Sequence, residues 1–325
     1  MMLGFVRMVM AAVGFIWLSA PIGAQLMTRV DLDNDSFNFW QAPNVRADRE
    51  YTQGTRVNVL WPMDNALTRV LLGRAQLCGT ETAERDCRMA SAALAQSIYT
   101  PTLEPRRRAP DERPFAGWLG AEFGVQRDRD RALTAFSLSI GVTGKASLAE
   151  SSQIAVHEVF GFRRPEGWSA QLPSEVTVNA TYRGARELLH IGTPSRRFAL
   201  RVAPLWSARL GSVSTDATAG LHLTAGLRPA APWTTAATRD GRRWGLFFRA
   251  AASQSVIGRN LFLDGSTFGG GPRVTTRNRW LGSTELGVAL RGPLGTVEWR
   301  VHSVGREYQR QPLAHAYSTI AFALR

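Results

Sequence analysis

The sequence predicts an all-β fold, an antiparallel transmembrane β-barrel of about twelve strands with a short helix in an extracellular loop. Three observations predict it. Segments of alternating apolar and polar residues recur along the chain. Many exceed the ~5–6 residues usual for a globular strand and match the ~9–11 that a tilted membrane strand needs. After residue 24, no run approaches the ~18 apolar residues of a helical span.

The elements follow in order. Arg7 precedes an apolar run from Met8 to Ala20, and Ile22-Gly23-Ala24 offers a small-residue cleavage site. Residues 1–24 are therefore expected to be a secretory signal and residues 25–325 the barrel. The alternating segments fall at roughly 26–35, 51–61, 90–99, 115–126, 132–142, 175–188, 197–209, 217–228, 243–254, 277–290, 295–304 and 313–325. Thr55, Val57, Val59 and Trp61 share one face, and Arg56 and Asn58 the other. Phe136, Leu138, Ile140 and Val142 alternate with Ser137, Ser139 and Gly141. Leu221 and Leu223 alternate with His222 and Thr224, and Val297, Trp299 and Val301 with Glu298, Arg300 and His302. Trp61, Trp206, Trp244 and Trp280 sit near segment ends, where interfacial girdles belong. A secreted β-sandwich also alternates, but the length and number of these segments argue against it.

With the N-terminus in the periplasm, the connections after odd strands face outward, at about 36–50, 100–114, 143–174, 210–216, 255–276 and 305–312. The inward connections are mostly short. The exception, 62–89, carries Cys78 and Cys87, a pair expected to form a structural disulfide in an oxidising compartment. Two cysteines exclude a Cys₄ zinc site and a disulfide-rich scaffold. In the longest outward connection, Ser147 with Glu150 reads as a capping box. Gln153 and His157 then lie at i and i+4 on one helix face.

Composition narrows the partners. The chain has 39 Lys+Arg against 26 Asp+Glu, a formal charge of +13, and Lys145 is its only lysine. Arginine forks suit carboxylates and phosphates. Nucleic acid is a poor partner for an exported protein, so anionic lipid or surface sugar-phosphate is expected. The expected location is the outer membrane of a Gram-negative bacterium, and a monomer is expected there.

Three outward segments are unusually polar: Asp31-Leu32-Asp33-Asn34-Asp35 running to Gln41, Asp48 to Gly54, and the helix with Gln153 and His157. The Asp31, Asp33, Asp35 spacing is not an EF-hand, because Ser36 replaces the glycine and Ala42 the bidentate glutamate. Asn34, Asp35 and backbone carbonyls could hold Ca²⁺, or these carboxylates could simply solvate a loop; the residues leave both open. Among five histidines His157 is the best candidate base, since His222 and His302 fall on inner faces and His190 and His315 near strand ends. No G-x-S-x-G elbow is present, so a His-activated water is the simpler hydrolytic idea.

Together, Asn34-Asp35, Asp48 to Gly54, Ile98-Tyr99-Thr100-Pro101 and Arg113 to Leu119 resemble the outer-membrane lipid A 3′-O-deacylase family. So do Gly141 to Gly144, Gln153 to His157, Gly167-Trp168, Gln171-Leu172, Arg259-Asn260 to Asp264-Gly265, and Glu307-Tyr308 to Gln311. The resemblance covers essentially the whole mature chain. It implies a twelve-stranded barrel whose site lies between the outer part of the wall and the loop helix. It also implies Ca²⁺-dependent hydrolysis of the acyloxyacyl ester at the 3′ position of lipid A. On this resemblance His157 is the general base, Asn34 and Asp35 belong to the calcium region, and Gln41, Thr52 and Gln153 line the site. Arg106 falls where a family member carries a lysine proposed to meet substrate, and it, with Arg107 or Arg108, would contact a phosphate. A carboxylate expected six residues after the histidine is here Arg163, so Glu158, Glu166 or Glu175 would have to replace it. The chain also ends Phe322-Ala323-Leu324-Arg325, without a terminal aromatic residue.

Two rival readings keep other functions in view. An outer-membrane phospholipase would need a serine nucleophile paired with histidine, and none is evident. A catalytically inactive structural or pore barrel would need an open lumen, and inward Arg56, Arg249, Glu298 and Arg300 would plug this one.

Overall fold

The structure is a computed structural model and describes residues 27–38, 49–77, 86–101, 111–129, 131–192, 197–234 and 244–324. The expected signal at 1–24, Gln41, Cys78 and Arg106 to Arg108 lie outside them.

Twelve strands build the wall: β1 (Met27–Asn34), β2 (Glu50–Pro62), β3 (Asp86–Thr100), β4 (Ala116–Arg129), β5 (Ala132–Thr143), β6 (Val176–Arg186), β7 (Phe198–Gly211), β8 (Ser214–Leu227), β9 (Gly245–Asn260), β10 (Trp280–Gly292), β11 (Gly295–Val304) and β12 (His315–Leu324). Each pairs antiparallel with the next, and β12 closes on β1, with Thr28 opposite Leu324 and Asn34 opposite Ser318. Every expected strand is present. β9 runs on to Asn260, past the expected 254, because its outer end carries polar residues that hide the strand signal. Two short strands, Gln76–Leu77 and Leu189–Ile191, pair beside β3 and β7. The longest connection, between Thr143 and Val176, and most of the other long ones stand at one end, while two tight turns, between Arg129 and Ala132 and between Gly292 and Gly295, stand at the other, which orients the first end outward.

The side-chain distribution is inverted relative to a water-soluble core. Residues directly opposite in a ladder share a face. Phe123 stands opposite Leu138 and Ile140 opposite Val178, and all four are exposed on the outside of the wall. Inside, Glu298 lies 3.0 Å from Arg29 and 3.7 Å from both Arg249 and Arg300. Asp31 bridges Arg29 and Arg300 at 2.8 and 2.9 Å. Arg56 pairs with Glu122 at 2.7 Å. Tyr51 and Thr319 donate to the Asp33 carboxylate at 2.7 and 2.6 Å. The expected inward charges therefore fill the lumen as a network. A cavity of about 140 Å³ remains beside His222, Glu285, His302 and Tyr317.

The outer mouth is tied by a second network. Arg113 is fully buried, bridges Glu50 and Glu307, and lies under the Tyr99 ring, while Tyr308 donates to Glu50 at 2.8 Å. Asp111 accepts from Thr275 N at 2.6 Å and from the Thr275 and Thr276 hydroxyls at 2.8 and 2.6 Å. Burial works against that charge, but these donors hold the Asp111 carboxyl below the usual carboxylate range. At the periplasmic end, helix α1 (Ala66–Leu72) starts at an Asn65–Thr68 capping box. Cys87 is disulfide-bonded, and Cys78 is the only other cysteine in the sequence.

Removing the central carboxylate should expose the cost of the lumenal charges. Glu298→Leu keeps volume but leaves three guanidiniums facing one another. We expect a loss of about 3–5 kcal/mol, read as a lower urea midpoint for barrel unfolding in lipid vesicles.

Candidate active site

The loop between β5 and β6 folds into helix α2 (Ala149–Phe160), which packs on the outside of the wall. The register proves the side. Gly117, Leu119, Ala121 and Phe123 share one face of β4, and Phe123 is exposed to lipid. A Cβ on Gly117 would lie 2.2 Å from both the Ala149 Cβ and the Ser147 Oγ, so the helix start rests on that face. Gln96, also outward, donates to the Ser147 carbonyl at 2.7 Å. Ala149 buries with Ile98, Phe115 and Trp168.

The expected capping box does not form. The chain at Gly144–Ser147 makes a 3₁₀ turn, and the Ser147 hydroxyl donates to the Gly144 carbonyl at 2.6 Å. Leu148 instead enters the helix in left-handed geometry, φ 57°, with no side-chain cap. The C-terminus ends conventionally at Gly161, φ 70°, where glycine carries no Cβ penalty.

The helix holds Gln153 and His157 on one buried face, as their spacing predicts. Trp168 Nε1 donates to Gln153 Oε1 at 2.9 Å, and the Trp168 ring stacks obliquely on Phe115, centroids 5.0 Å apart. His157 Nδ1 meets the Arg163 carbonyl at 2.5 Å. A carbonyl only accepts, so Nδ1 carries the proton and Nε2 presents the lone pair. Phe162 packs edge-on against the imidazole, centroids 5.7 Å apart.

The other expected residues approach from neighbouring strands on the same face. Asn34 ends β1 opposite Gln53, and Gln53 stands opposite Ile98, beneath α2. Two strand spacings separate Asn34 from Ile98, about 10 Å of wall. Thr52 is the extra residue of a β-bulge between Tyr51 and Gln53, and its hydroxyl lies 2.7 Å from that of Thr100. Bulges re-aim side chains in this way. Asp35 is buried in the 3₁₀ turn Asp35–Phe37. That turn is pinned outside β12, where Asn38 donates to the Ala316 carbonyl and accepts from Ser318, both at 2.7 Å. Helix and turn thus stand on the outer face at the outer end of adjoining strands. Trp168, which fixes Gln153, had no assigned role in the sequence, although Gly167-Trp168 is one of the segments that carry the family resemblance.

The donor set can be tested for calcium. Asn34 and Asp35 offer the hard oxygen donors that Ca²⁺ prefers. The replacement carboxylates are poor recruits. Glu175 accepts from Ser266 Oγ at 2.6 Å and from Thr267 N and Oγ1 at 2.9 Å each. Glu166 lies exposed, 3.7 Å from Arg163, and Glu158 is exposed. Among the described residues no cluster of three or more His, Cys, Asp or Glu side chains has metal-binding geometry. Asn34 and Asp35 are thus adjacent oxygen donors with no described carboxylate cage around them.

The closed wall, apolar outside and charged inside, defines an outer-membrane β-barrel of a Gram-negative bacterium, with buried polar residues beneath a helix on its outer flank. The sequence matches the family model described as "Outer membrane protein LpxR" over residues 6–325, and the chain belongs to that family. Its structure is similar to LpxR from Salmonella typhimurium, with a TM-score of 0.70 and 15% identity, covering 92% of this chain and 99% of that one. The β domain of the Bordetella autotransporter BrkA aligns with a TM-score of 0.45 and 9% identity, covering 93% of this chain and 99% of that one. Among curated proteins, none matches the sequence.

Gly117 tests the seating of α2. Gly117→Val should leave the barrel folded, judged by heat-modifiable migration in gels, but lift the helix. Trypsin should then cut sooner after Arg163, the Arg164–Pro165 bond being resistant to it. An unchanged digestion pattern would contradict the close approach.

Proposed function

We propose that this protein hydrolyses the 3′-O-linked acyloxyacyl ester of lipid A, entering substrate sideways from the outer leaflet. Membership of the LpxR family and the resemblance to lipid A 3′-O-deacylases support the reading. The observation that carries it is the position of His157, on a helix packed against the lipid-facing side of the wall, with its proton on Nδ1. A lipid can keep its acyl chains in the membrane while its headgroup reaches such a site. The filled lumen speaks against a passive pore.

In the proposed mechanism, Nε2 of His157 takes a proton from water as the water oxygen attacks the ester carbonyl; the tetrahedral intermediate then collapses with cleavage of the acyl C–O bond, and the imidazolium returns the proton to the departing 3′ oxygen, releasing the acid and the 3′ hydroxyl. The Arg163 carbonyl orients the ring and steadies the imidazolium as it forms. Trp168 holds the Gln153 carbonyl oxygen and so fixes the orientation of the amide. Thr52 supplies a hydroxyl from the bulge. Asn34 and Asp35 would hold Ca²⁺, which when bound would polarise the ester carbonyl and stabilise the oxyanion. Gln41 and Arg106 belong to the same proposal, Arg106 as the contact for a lipid A phosphate through its guanidinium fork.

The test is lipid A mass spectrometry after expression in a Gram-negative host lacking such a deacylase. The 3′ acyloxyacyl mass should be lost, and calcium chelation should prevent it. His157→Ala should slow release by about 10²–10⁴-fold while the barrel still folds. Unchanged release by a folded His157→Ala barrel would overturn the base assignment. Fatty acid freed from phospholipid instead would favour a phospholipase.

Arg163 gives a sharper check. Its carbonyl, not its side chain, touches His157, and its guanidinium is exposed. Arg163→Ala should therefore keep activity within a few-fold. A loss as large as that of His157→Ala would mean the side chain acts directly.

A further inference from the structure

The periplasmic end carries a feature that lipid A chemistry does not use. Leu67, Val70 and Leu71 lie at i, i+3 and i+4 of α1, so they share one face. They are 58%, 81% and 41% exposed, while Thr68 and Leu72 on the other side are buried. Such a face is not the residue of a frayed segment. The capping box fixes the helix start, with Thr68 N donating to Asn65 Oδ1 at 2.8 Å. Arg127 donates to the Leu72 carbonyl at 2.8 Å, and Arg88 to the Gly73 and Ala75 carbonyls at 3.1 and 2.6 Å. Asp64 also pairs with Arg88 at 2.8 Å.

Those two arginines place the helix outside the wall. Arg127 lies on the β4 face that carries Phe123, and Arg88 stands directly opposite Arg127. Phe123 is lipid-exposed, only four residues up the strand, or about 13 Å. The apolar face of α1 thus continues the lipid-facing belt at its inner edge. Cations surround it. Arg69, Arg74, Arg129 and Arg131 are all exposed at this rim; Asp64 is shared between Arg69 and Arg88, Asp86 pairs with Arg127, and Glu187 pairs with Arg131.

We propose that α1 is an interfacial anchor: its Leu67, Val70 and Leu71 face lies among the phospholipids of the inner leaflet, and its arginines select anionic headgroups. A short helix with apolar residues on one face and arginines on its flank suits the boundary between headgroups and acyl chains. The helix would fix the depth and tilt of the wall on the flank that also carries α2, since β3 and β4 pass beneath both.

The experiment uses the full mature chain with Val70→Cys, labelled with a nitroxide and refolded into phosphatidylcholine vesicles with or without phosphatidylglycerol. Cys87 is disulfide-bonded and does not label. Heat-modifiable migration confirms folding. The label at 70 should be several-fold more accessible to oxygen than to a water-soluble nickel chelate, and deeper when phosphatidylglycerol is present. An Arg74→Cys label should show the opposite preference. Equal nickel access at both positions would overturn the anchor, and an unchanged depth on adding phosphatidylglycerol would overturn the anionic preference. Protection at 70 that appears only as protein density rises, with spin–spin broadening, would assign the face to a second copy and overturn the proposal.

Discussion

A strand in hydrocarbon has no water to satisfy its edge, so each backbone amide and carbonyl needs a partner in the next strand. The pairing of β12 with β1 meets that demand, and much else depends on it. Closure forces alternate residues to lipid and to lumen. The lipid side can then be apolar, with Phe123, Leu138, Ile140 and Val178 facing outward. The lumen must absorb the rest, and arginine with carboxylate does so through Glu298, Asp31 and their guanidinium partners. Those charges cost desolvation singly and are tolerable only as a mutually satisfied network.

The same alternation explains how a polar site comes to stand on the lipid-facing side. At the outer end of the wall the hydrocarbon gives way to headgroups, so outward positions there can be polar. Asn34, Gln53, Thr52 and Gln96 occupy such positions. A helix can cover them only if its backbone comes close, and Gly117 supplies the missing Cβ. Apolar contact among Ile98, Phe115, Ala149 and Trp168 then holds the helix down. Packing, not helix propensity, sustains so short an element.

The contact between His157 and the Arg163 carbonyl does not depend on which side chain stands at 163. A backbone acceptor is independent of side-chain identity. The turn after Gly161 brings that carbonyl to Nδ1 whatever residue stands at 163. The cost falls elsewhere, in a site with fewer carboxylates than the family pattern implies, since Glu175 already serves Ser266 and Thr267.

Period-two alternation was enough to determine twelve strands, their order and the identity of the inward charges, because the bilayer and the lumen impose opposite solvents on alternate residues. Helical spacing was likewise enough to put Gln153 and His157 on one face. Local signals were weaker wherever two local structures competed. Ser147 had the residues of a cap but spends its hydroxyl on Gly144, and β9 outran its pattern where its outer end turned polar. What only the tertiary structure decided is which distant residues meet. The bulge at Thr52, the seating of α2 on Gly117, the Trp168–Gln153 bond and the placing of α1 outside the wall all depend on register between strands. Register comes from the closed ladder as a whole, and no single segment encodes it.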